Sequence, residues 1–274
     1  MEYTTGFPFI NLFFDINPVA FTVFGWDIYW YGVILGLAGL VCVSFATVQA
    51  YREDLELNGF INSLTFSILF GLIGARVYFV LSNFESYDDF ESMINIREGG
   101  IAIYGAIIAG FLTEYFFSKV YCMPFGRVLD VMAVTLPLGQ IIGRFANFVN
   151  QEAYGAETAL PWRMMVTRGL SHPIYVHPTF LYEALWNFVG FILLMNYKKH
   201  KKFDGEVCTL YVFWYGLGRA WIEQLRTDSL PYGANFKISQ IVAVVSAVLA
   251  VIYICVKRIK LHASNASRKE KPLA

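Results

Sequence analysis

An all-α integral membrane protein, with seven transmembrane helices, an external arm and a small periplasmic or outer-face head segment, is the fold this sequence predicts from three observations. Hydrophobic residues make up 57% of the 274 residues, above the roughly 45–50% of soluble domains, and mean hydropathy is positive. Apolar runs of the length that crosses a bilayer recur near residues 26–50, 60–81, 100–121, 128–149, 178–197, 206–225 and 238–257. The basic residues divide unequally between the two sides that these runs define. Thirteen, including Arg52, Lys119, Arg127, Lys198, Lys199, Lys201 and Lys202, share one side with the C-terminal tail, and five, Arg97, Arg163, Arg168, Arg226 and Lys237, lie on the other. Basic loops stay in the cytoplasm, so the N-terminus is expected outside and the tail inside.

The chain reads as one membrane domain over residues 1–274. Residues 1–25 form an outer-face N-terminal segment, 150–177 the external arm and 259–274 a cytoplasmic tail, whose last residues, Ser267–Ala274, are polar enough to be disordered. Met1-Glu2-Tyr3 lacks the basic start of a cleaved signal peptide, so the first span is expected to stay in the mature chain. Ser82–Gly99 is a second outer segment, acidic at Glu85, Asp88, Asp89 and Glu91, for which a short interfacial helix and a loop are equally open. Pro178 suits the start of the fifth helix, where its missing donor costs nothing. Zero formal net charge gives no support to nucleic-acid binding. Cys42, Cys122, Cys208 and Cys255 show no C-x-x-C pairing, so neither a disulfide framework nor a zinc site is expected. His172 and His177 flank prolines in the arm without a third candidate ligand, and no metal site is expected there either.

Three arginines fall inside the apolar runs: Arg76, Arg144 and Arg219. An arginine at membrane depth costs roughly 2.5–3.5 kcal/mol on insertion scales, so it is normally turned toward a partner, a cavity or a ligand. Counting at 1.5 Å per residue from the inner ends of their spans puts all three roughly 20–25 Å along, in the outer half of the bilayer. The same count from the outer ends puts Tyr31, Tyr104 and Glu183 about 6–8 Å deep. One polar site opening toward the outer leaflet follows. Gln140, Arg144, Asn147 and Gln151 recur at helical spacing and form a polar stripe beside it. Arg219 has Tyr215 and Glu223 one turn away on the same face. Guanidinium forks suit a phosphate, and the nearest phosphate is a phospholipid headgroup. Arg76 has two readings, a third member of the phosphate clamp or, since it follows Gly71 and Gly74, small residues that let helices approach, a tie between helices through an acid; the structural one is slightly favoured.

The stretch from Gly143 to Gly155 reads G-R-x-x-N-F-x-N-x-E-x-x-G, with Arg144, Asn147, Phe148, Asn150, Glu152 and Gly155 in its fixed positions. It resembles the signature of the prolipoprotein diacylglyceryl transferases. Trp30-Tyr31-Gly32, Gly71 to Tyr78, Gly99 to Gly105, His177-Pro178-Thr179-Phe180-Leu181-Tyr182-Glu183 and Tyr215-Gly216-Leu217-Gly218-Arg219 extend the likeness over roughly residues 26–228. The resemblance implies an enzyme of the bacterial cell membrane that moves the diacylglyceryl group of phosphatidylglycerol to the lipobox cysteine of a prolipoprotein signal peptide. A thioether forms and glycerol 1-phosphate leaves, with no metal and no cofactor; membrane lipids are the other partners. It further implies catalytic roles for Arg144, Arg219, Tyr104 and Tyr31, and phosphatidylglycerol binding by Arg144, Asn147, Glu152, Gly155, Arg219 and Glu223. Many members carry histidine in an H-G-G-L stretch where this chain has Tyr104-Gly105-Ala106-Ile107, which points to a hydrogen-bonding phenol rather than an imidazole base. An anion or lipid transporter, or a noncatalytic phospholipid-binding protein, is the alternative. Clustering of the arginines at one depth argues against a conduction path, which needs polar groups through the whole thickness.

Overall fold

The computed structural model describes residues 4–87, 89–96, 99–167, 172–226, 231–232 and 236–269. The chain is mostly helical, and a helix stands at each of the seven expected positions: α1 (Trp30–Arg52), α2 (Leu57–Ser82), α4 (Ile103–Val120), α5 (Phe125–Asn150), α6 (Thr179–Tyr197), α7 (Glu206–Leu225) and α8 (Ile238–Lys269). Short α3 (Phe90–Ile94) lies in the acidic outer segment, capped by the Asp89 carboxylate, which accepts from the Ser92 N–H at 2.7 Å. Among the described residues, five helices, α1, α2, α5, α6 and α8, are long and apolar enough to cross a membrane. α4 and α7 fall outside that group; Glu114 and Lys119 interrupt α4, and Glu206, Arg219 and Glu223 interrupt α7.

Three boundaries differ from the sequence reading. Residues 26–29 are not the start of the first helix. They form β4 (Trp26–Tyr29), which pairs with β3 (Val19–Val23) across Phe24 and Gly25, both at positive φ, the geometry of a tight hairpin turn. α8 continues to Lys269, so most of the expected tail is helix, and residues 270–274 of the expected disordered end lie outside the described residues. The stripe on α5 ends early, because the helix closes at Asn150 and Gln151 turns to φ 50°. Glu152 N–H then bonds Asn147 O at 3.0 Å and Gln151 N–H bonds Phe148 O at 3.1 Å, the paired bonds of a Schellman closure. Gln151 therefore leaves the helical face, and its Oε1 accepts from Thr167 N–H at 3.2 Å.

The chain divides into two compact units, Met1–Cys42 with Met132–Ala274, and Val43–Val131. In the first, the N-terminal segment and the arm combine into one antiparallel sheet ordered β2-β1-β5-β6, from β1 (Thr4–Phe7), β2 (Leu12–Asp15), β5 (Met164–Val166) and β6 (Ile174–Val176). Thr5 faces Val166 across the β1–β5 pairing. Beneath the sheet Met164, Val166, Val176 and Phe180 are buried, with Phe7 and Phe148 packed against them. The Phe148 and Phe180 rings lie 4.7 Å apart, so aromatic packing fastens the sheet to the ends of α5 and α6. α6 packs on α7 and α7 on α8. A Cβ on Gly216 would lie 2.6 Å from Ala243 O, so glycine is what lets α7 and α8 approach. Residues 231–232 and 236–237 form a small hairpin, β7 and β8, before α8.

In the second unit α2 lies along α4 with backbone against backbone, since a Cβ on Gly105 would sit 2.1 Å from Gly74 O. Gly71 makes only ordinary contact, its built Cβ 3.7 Å from Ala106 O. Arg76 is buried and structural, and among the described residues its hydrogen-bond partners are backbone carbonyls. Its Nε donates to Met93 O at 2.9 Å, Nη1 to Gly99 O and Gly100 O at 2.7 and 2.8 Å, and Nη2 to Ser92 O at 2.7 Å. These four carbonyls lie at the end of α3 and in the loop after it. Arg76 thus anchors the outer segment to α2.

Candidate active site

The first unit gathers its arginines on a single carboxylate. Glu183, buried on the second turn of α6, is paired with Arg144 Nη2 of α5, with Arg219 Nη1 of α7 at 3.9 Å and with Arg226 Nη1 at the end of α7 at 3.5 Å. Arg219 Nη2 also meets Glu223 Oε2 at 2.7 Å, one turn along its own helix. Glu223 is almost fully buried, and its Oε1 accepts from the Ser239 hydroxyl at 2.6 Å. A second line leaves Arg144 toward the signature loop. Arg144 Nη1 donates to Asn147 Oδ1 at 3.2 Å, Asn147 Nδ2 to Glu152 Oε1 at 2.9 Å, and Asn150 Nδ2 to Glu152 Oε2 at 2.8 Å. The Schellman closure of α5 turns Glu152 back to receive both amides. Three guanidinium groups around Glu183 and Glu223 leave one positive charge at the cluster, while Glu152 stands one amide further out.

The loop after the signature is sewn to α6 and α7. Gly155 N–H bonds His177 O at 3.0 Å and Ala156 N–H bonds Leu225 O at 2.8 Å, which brings Arg226 beside the loop. A Cβ at Gly155 would lie 2.7 Å from His177 Cβ and 2.8 Å from Leu225 O, so the signature glycine is a point of close chain crossing.

α6 and α7 are locked by two tryptophans. Trp186 Nε1 donates to Trp214 O and Trp214 Nε1 to Trp186 O, each at 3.0 Å, with the indoles stacked 4.4 Å apart. Each indole lies over a glycine of the opposite helix, Trp186 over Gly218 and Trp214 over Gly190. Trp186 stands three residues after Glu183 and Gly218 one before Arg219. The interlock therefore sets the register in which the arginines meet Glu183. Further along α7, the Tyr211 hydroxyl accepts from Gln140 Nε2 at 2.8 Å, which ties the inner part of the α5 stripe to α7.

Tyr31, on the first turn of α1, lines a cleft of about 530 Å³ with Asp27, Ile28, Tyr29, Gly32 and Asn150, and lies within the electrostatic reach of Glu152 and Arg144. Arg144, Asn147, Glu152, Arg219 and Glu223 thus belong to one network, with Tyr31 beside it. Tyr104 belongs to the second unit, its ring 6.3 Å from that of Tyr78. Two members escaped the sequence reading in this role. Arg226 reads in the sequence as an outer-face charge, although residues 219, 223 and 226 share one helical face. Asn150 was read only as part of the signature.

Helices long enough to cross a membrane and a buried arginine–carboxylate cluster at their ends define a multi-pass membrane protein with a polar site set into an apolar frame. The chain belongs to the prolipoprotein diacylglyceryl transferase family, whose model matches residues 18–256. It is 38% identical over 245 residues to the phosphatidylglycerol–prolipoprotein diacylglyceryl transferase of Clostridioides difficile (strain 630), covering 88% of this chain and 97% of that one. The enzymes of the same name from Listeria welshimeri serovar 6b and Finegoldia magna are 38% and 39% identical over 256 and 239 residues. Those matches cover 90% and 86% of this chain and 92% and 94% of theirs.

Proposed function

We propose that this protein transfers the diacylglyceryl group of phosphatidylglycerol to the thiol of the lipobox cysteine of a prolipoprotein, the activity its relatives' names state for phosphatidylglycerol and prolipoprotein. The thiol sulfur bonds to the glyceryl carbon that carries the phosphate as the bond from that carbon to oxygen breaks. The bonding pair goes to the departing glycerol 1-phosphate, and the thiol proton passes to that phosphate, directly or through water. Two groups must be stabilised, a thiolate and a phosphate ester gaining negative charge.

The observation that carries this reading is the convergence of Arg144, Arg219 and Arg226 on Glu183. The single positive charge left by two carboxylates among three arginines matches the charge of a phosphodiester. Arg144 and Arg219 hold the phosphate, Asn147 and Glu152 orient Arg144, and Glu223 orients Arg219. Gly155 shapes the loop that carries Glu152. A free cysteine thiol has a pKa of about 8.5, and nearby cations lower it. The field of the arginines thus serves the thiol as well as the leaving group. Tyr31 orients the thiol or the phosphate from its cleft, and Tyr104 enters on the family pattern. No cofactor is required. Family membership does not favour a transporter or a noncatalytic lipid-binding role.

We further propose seven spans, α4 and α7 included, in one membrane domain with the N-terminus outside, the tail in the cytoplasm and the arginine cluster toward the outer leaflet. The thirteen-to-five asymmetry of basic residues supports this orientation. A reporter fused within residues 150–177 is expected to read as external, and a cytoplasmic signal would overturn the orientation. The activity is tested in membranes with labelled phosphatidylglycerol and a lipobox peptide. Arg144→Ala is expected to abolish transfer with the protein still folded, and Arg144→Lys to restore it only in part, because a point charge replaces a bidentate fork. Unchanged transfer by Arg144→Ala would remove Arg144 from the mechanism.

A further inference from the structure

The helices that carry the arginine cluster at one end carry a second cationic site at the other. Along α6, about 21 Å of helix separates Glu183 from Tyr197 at 1.5 Å per residue. There, Glu206 at the start of α7 is fully buried and receives Arg258 of α8, Nε at 2.8 Å and Nη2 at 2.7 Å, while the Tyr197 hydroxyl contacts the same Nη2. These bonds hold the guanidinium in place on the wall of a cavity of about 290 Å³, lined also by Lys202, Leu261, His262 and Asn265. Arg258 remains 43% exposed by side chain, so it is anchored on one edge and open on the other. Lys202 faces it from the α6–α7 connection, and His262 stands one turn further along α8. No acid lines this cavity among the described residues.

The cavity is too small for a whole lipid and lies at the low end of small-ligand sites. An apolar groove of about 280 Å³ lies along the same pair of helices, α7 and α8. Phe213, Gly216 and Leu217 of α7 and Val248, Val251 and Ile252 of α8 line this groove. Ile252 is about 9 Å along α8 from Arg258, and residues 248, 251, 258 and 262 fall on one side of that helix. A charged hollow and an oily groove on one helix pair, in that order, match a molecule with an anionic head and an acyl chain.

We infer that the α7–α8 face binds an anionic phospholipid, its phosphate between Lys202, Arg258 and His262 and an acyl chain in the groove beside Gly216. Guanidinium and ammonium donors take the phosphate oxygens, and basic hollows between membrane helices hold such headgroups. This lipid is distinct from the substrate, being bound at the opposite ends of α6 and α7. The site is proposed to bind the lipid without reaction.

The test counts phosphatidylglycerol retained by the full-length protein, purified in detergent and read by native mass spectrometry. Phosphatidylcholine and inorganic phosphate serve as comparison probes. Lys202→Gln combined with His262→Gln leaves the Arg258–Glu206 contact intact and is expected to weaken retention of one phosphatidylglycerol at least tenfold. Val248→Trp, which fills the groove, is expected to do the same without altering the weak association of inorganic phosphate. Arg144→Ala is expected to keep this lipid, and if it also keeps every other, the reading of the arginine cluster fails while this site stands. Full retention by both the double variant and Val248→Trp, equal retention of phosphatidylcholine, or displacement by millimolar inorganic phosphate would overturn the proposal.

Discussion

Replacing Gly218 by alanine tests whether the two-tryptophan lock sets the geometry of the arginine cluster. The added methyl would lie 2.3 Å from Trp186 Nε1 and 2.4 Å from Cδ1, so the indole or the helix must give way by about 1 Å to restore ordinary contact of about 3.5 Å. Overpacking of this kind costs about 1–3 kcal/mol. Displacing the indole also breaks the bond from Trp186 Nε1 to Trp214 O and strains its reciprocal, at about 0.5–1.5 kcal/mol each. A loss of about 2–6 kcal/mol in stability is expected. Because Gly218 precedes Arg219 and Trp186 follows Glu183 by three residues, the same displacement moves Arg219 against its 3.9 Å contact with Glu183. A misplacement of about 1 Å at a reacting site costs about a hundredfold in rate. The measurements are thermal unfolding in detergent and transfer of labelled diacylglyceryl to a lipobox peptide. Trp186→Ala in the Gly218→Ala background removes the clash and is expected to recover part of the stability but not the rate, since the lock is absent. A Gly218→Ala protein that unfolds and transfers as the unaltered protein does would refute the coupling between the lock and the cluster.

Three other substitutions follow from particular contacts. Tyr104→Phe keeps the ring and removes the hydroxyl. A ten- to hundredfold loss of transfer is expected for an orienting role, the scale of one or two hydrogen bonds to charged groups, whereas complete loss with lipid binding intact would make Tyr104 the base. Arg76→Ala strands four carbonyls between Ser92 and Gly100 and is expected to lower thermal stability by several kcal/mol, with cleavage by added protease within residues 83–100; unchanged stability and protection would contradict its anchoring role. Glu183→Gln removes the negative charge shared by three arginines and is expected to reduce the rate at least tenfold with a changed KM for phosphatidylglycerol. Kinetics like those of the unaltered chain would mean that the arginines hold their places without it.

The helices were legible because a bilayer imposes length and polarity at once. The expected span 206–225 coincides with α7, and 178–197 differs from α6 by one residue. The sheet was not legible. Its strands are three or four residues long, β2 is exposed along its whole length, and its central pairing joins Thr5 to Val166, a relation no local period encodes. The end of α8 was set short because its Lys and Arg residues read as a tail, although these residues favour helix. In the site, Arg144, Asn147 and Glu152 stood out because polar groups at the end of an apolar run are costly, and they do share a network. Gln151 was carried along by extrapolating the helical period past a closure made by a non-glycine residue in the left-handed region. Spacing on α2 leaves the role of Arg76 open, because its partners are carbonyls of α3 and the loop after it, which no period on its own helix reveals.

The β1–β5 pairing also orders events during synthesis. Thr5 emerges about 160 residues ahead of its partner Val166, which at about 5–20 residues per second is a wait of roughly 8–32 s. Through that interval the β1–β2 hairpin stands without the strand that covers its other edge, a marginal structure by itself. Five of the helices, α1 to α5, precede β5 in the chain, so the sheet closes only after they have been made. When it closes, Thr4 and Thr167 exchange hydrogen bonds at 2.9 Å, and Thr167 in turn holds Gln151 at the end of the signature helix. The first strand made is therefore a late clasp. A chain lacking its first seven residues is expected to insert its helices and still leave the loop that carries Glu152 without its outer fastening.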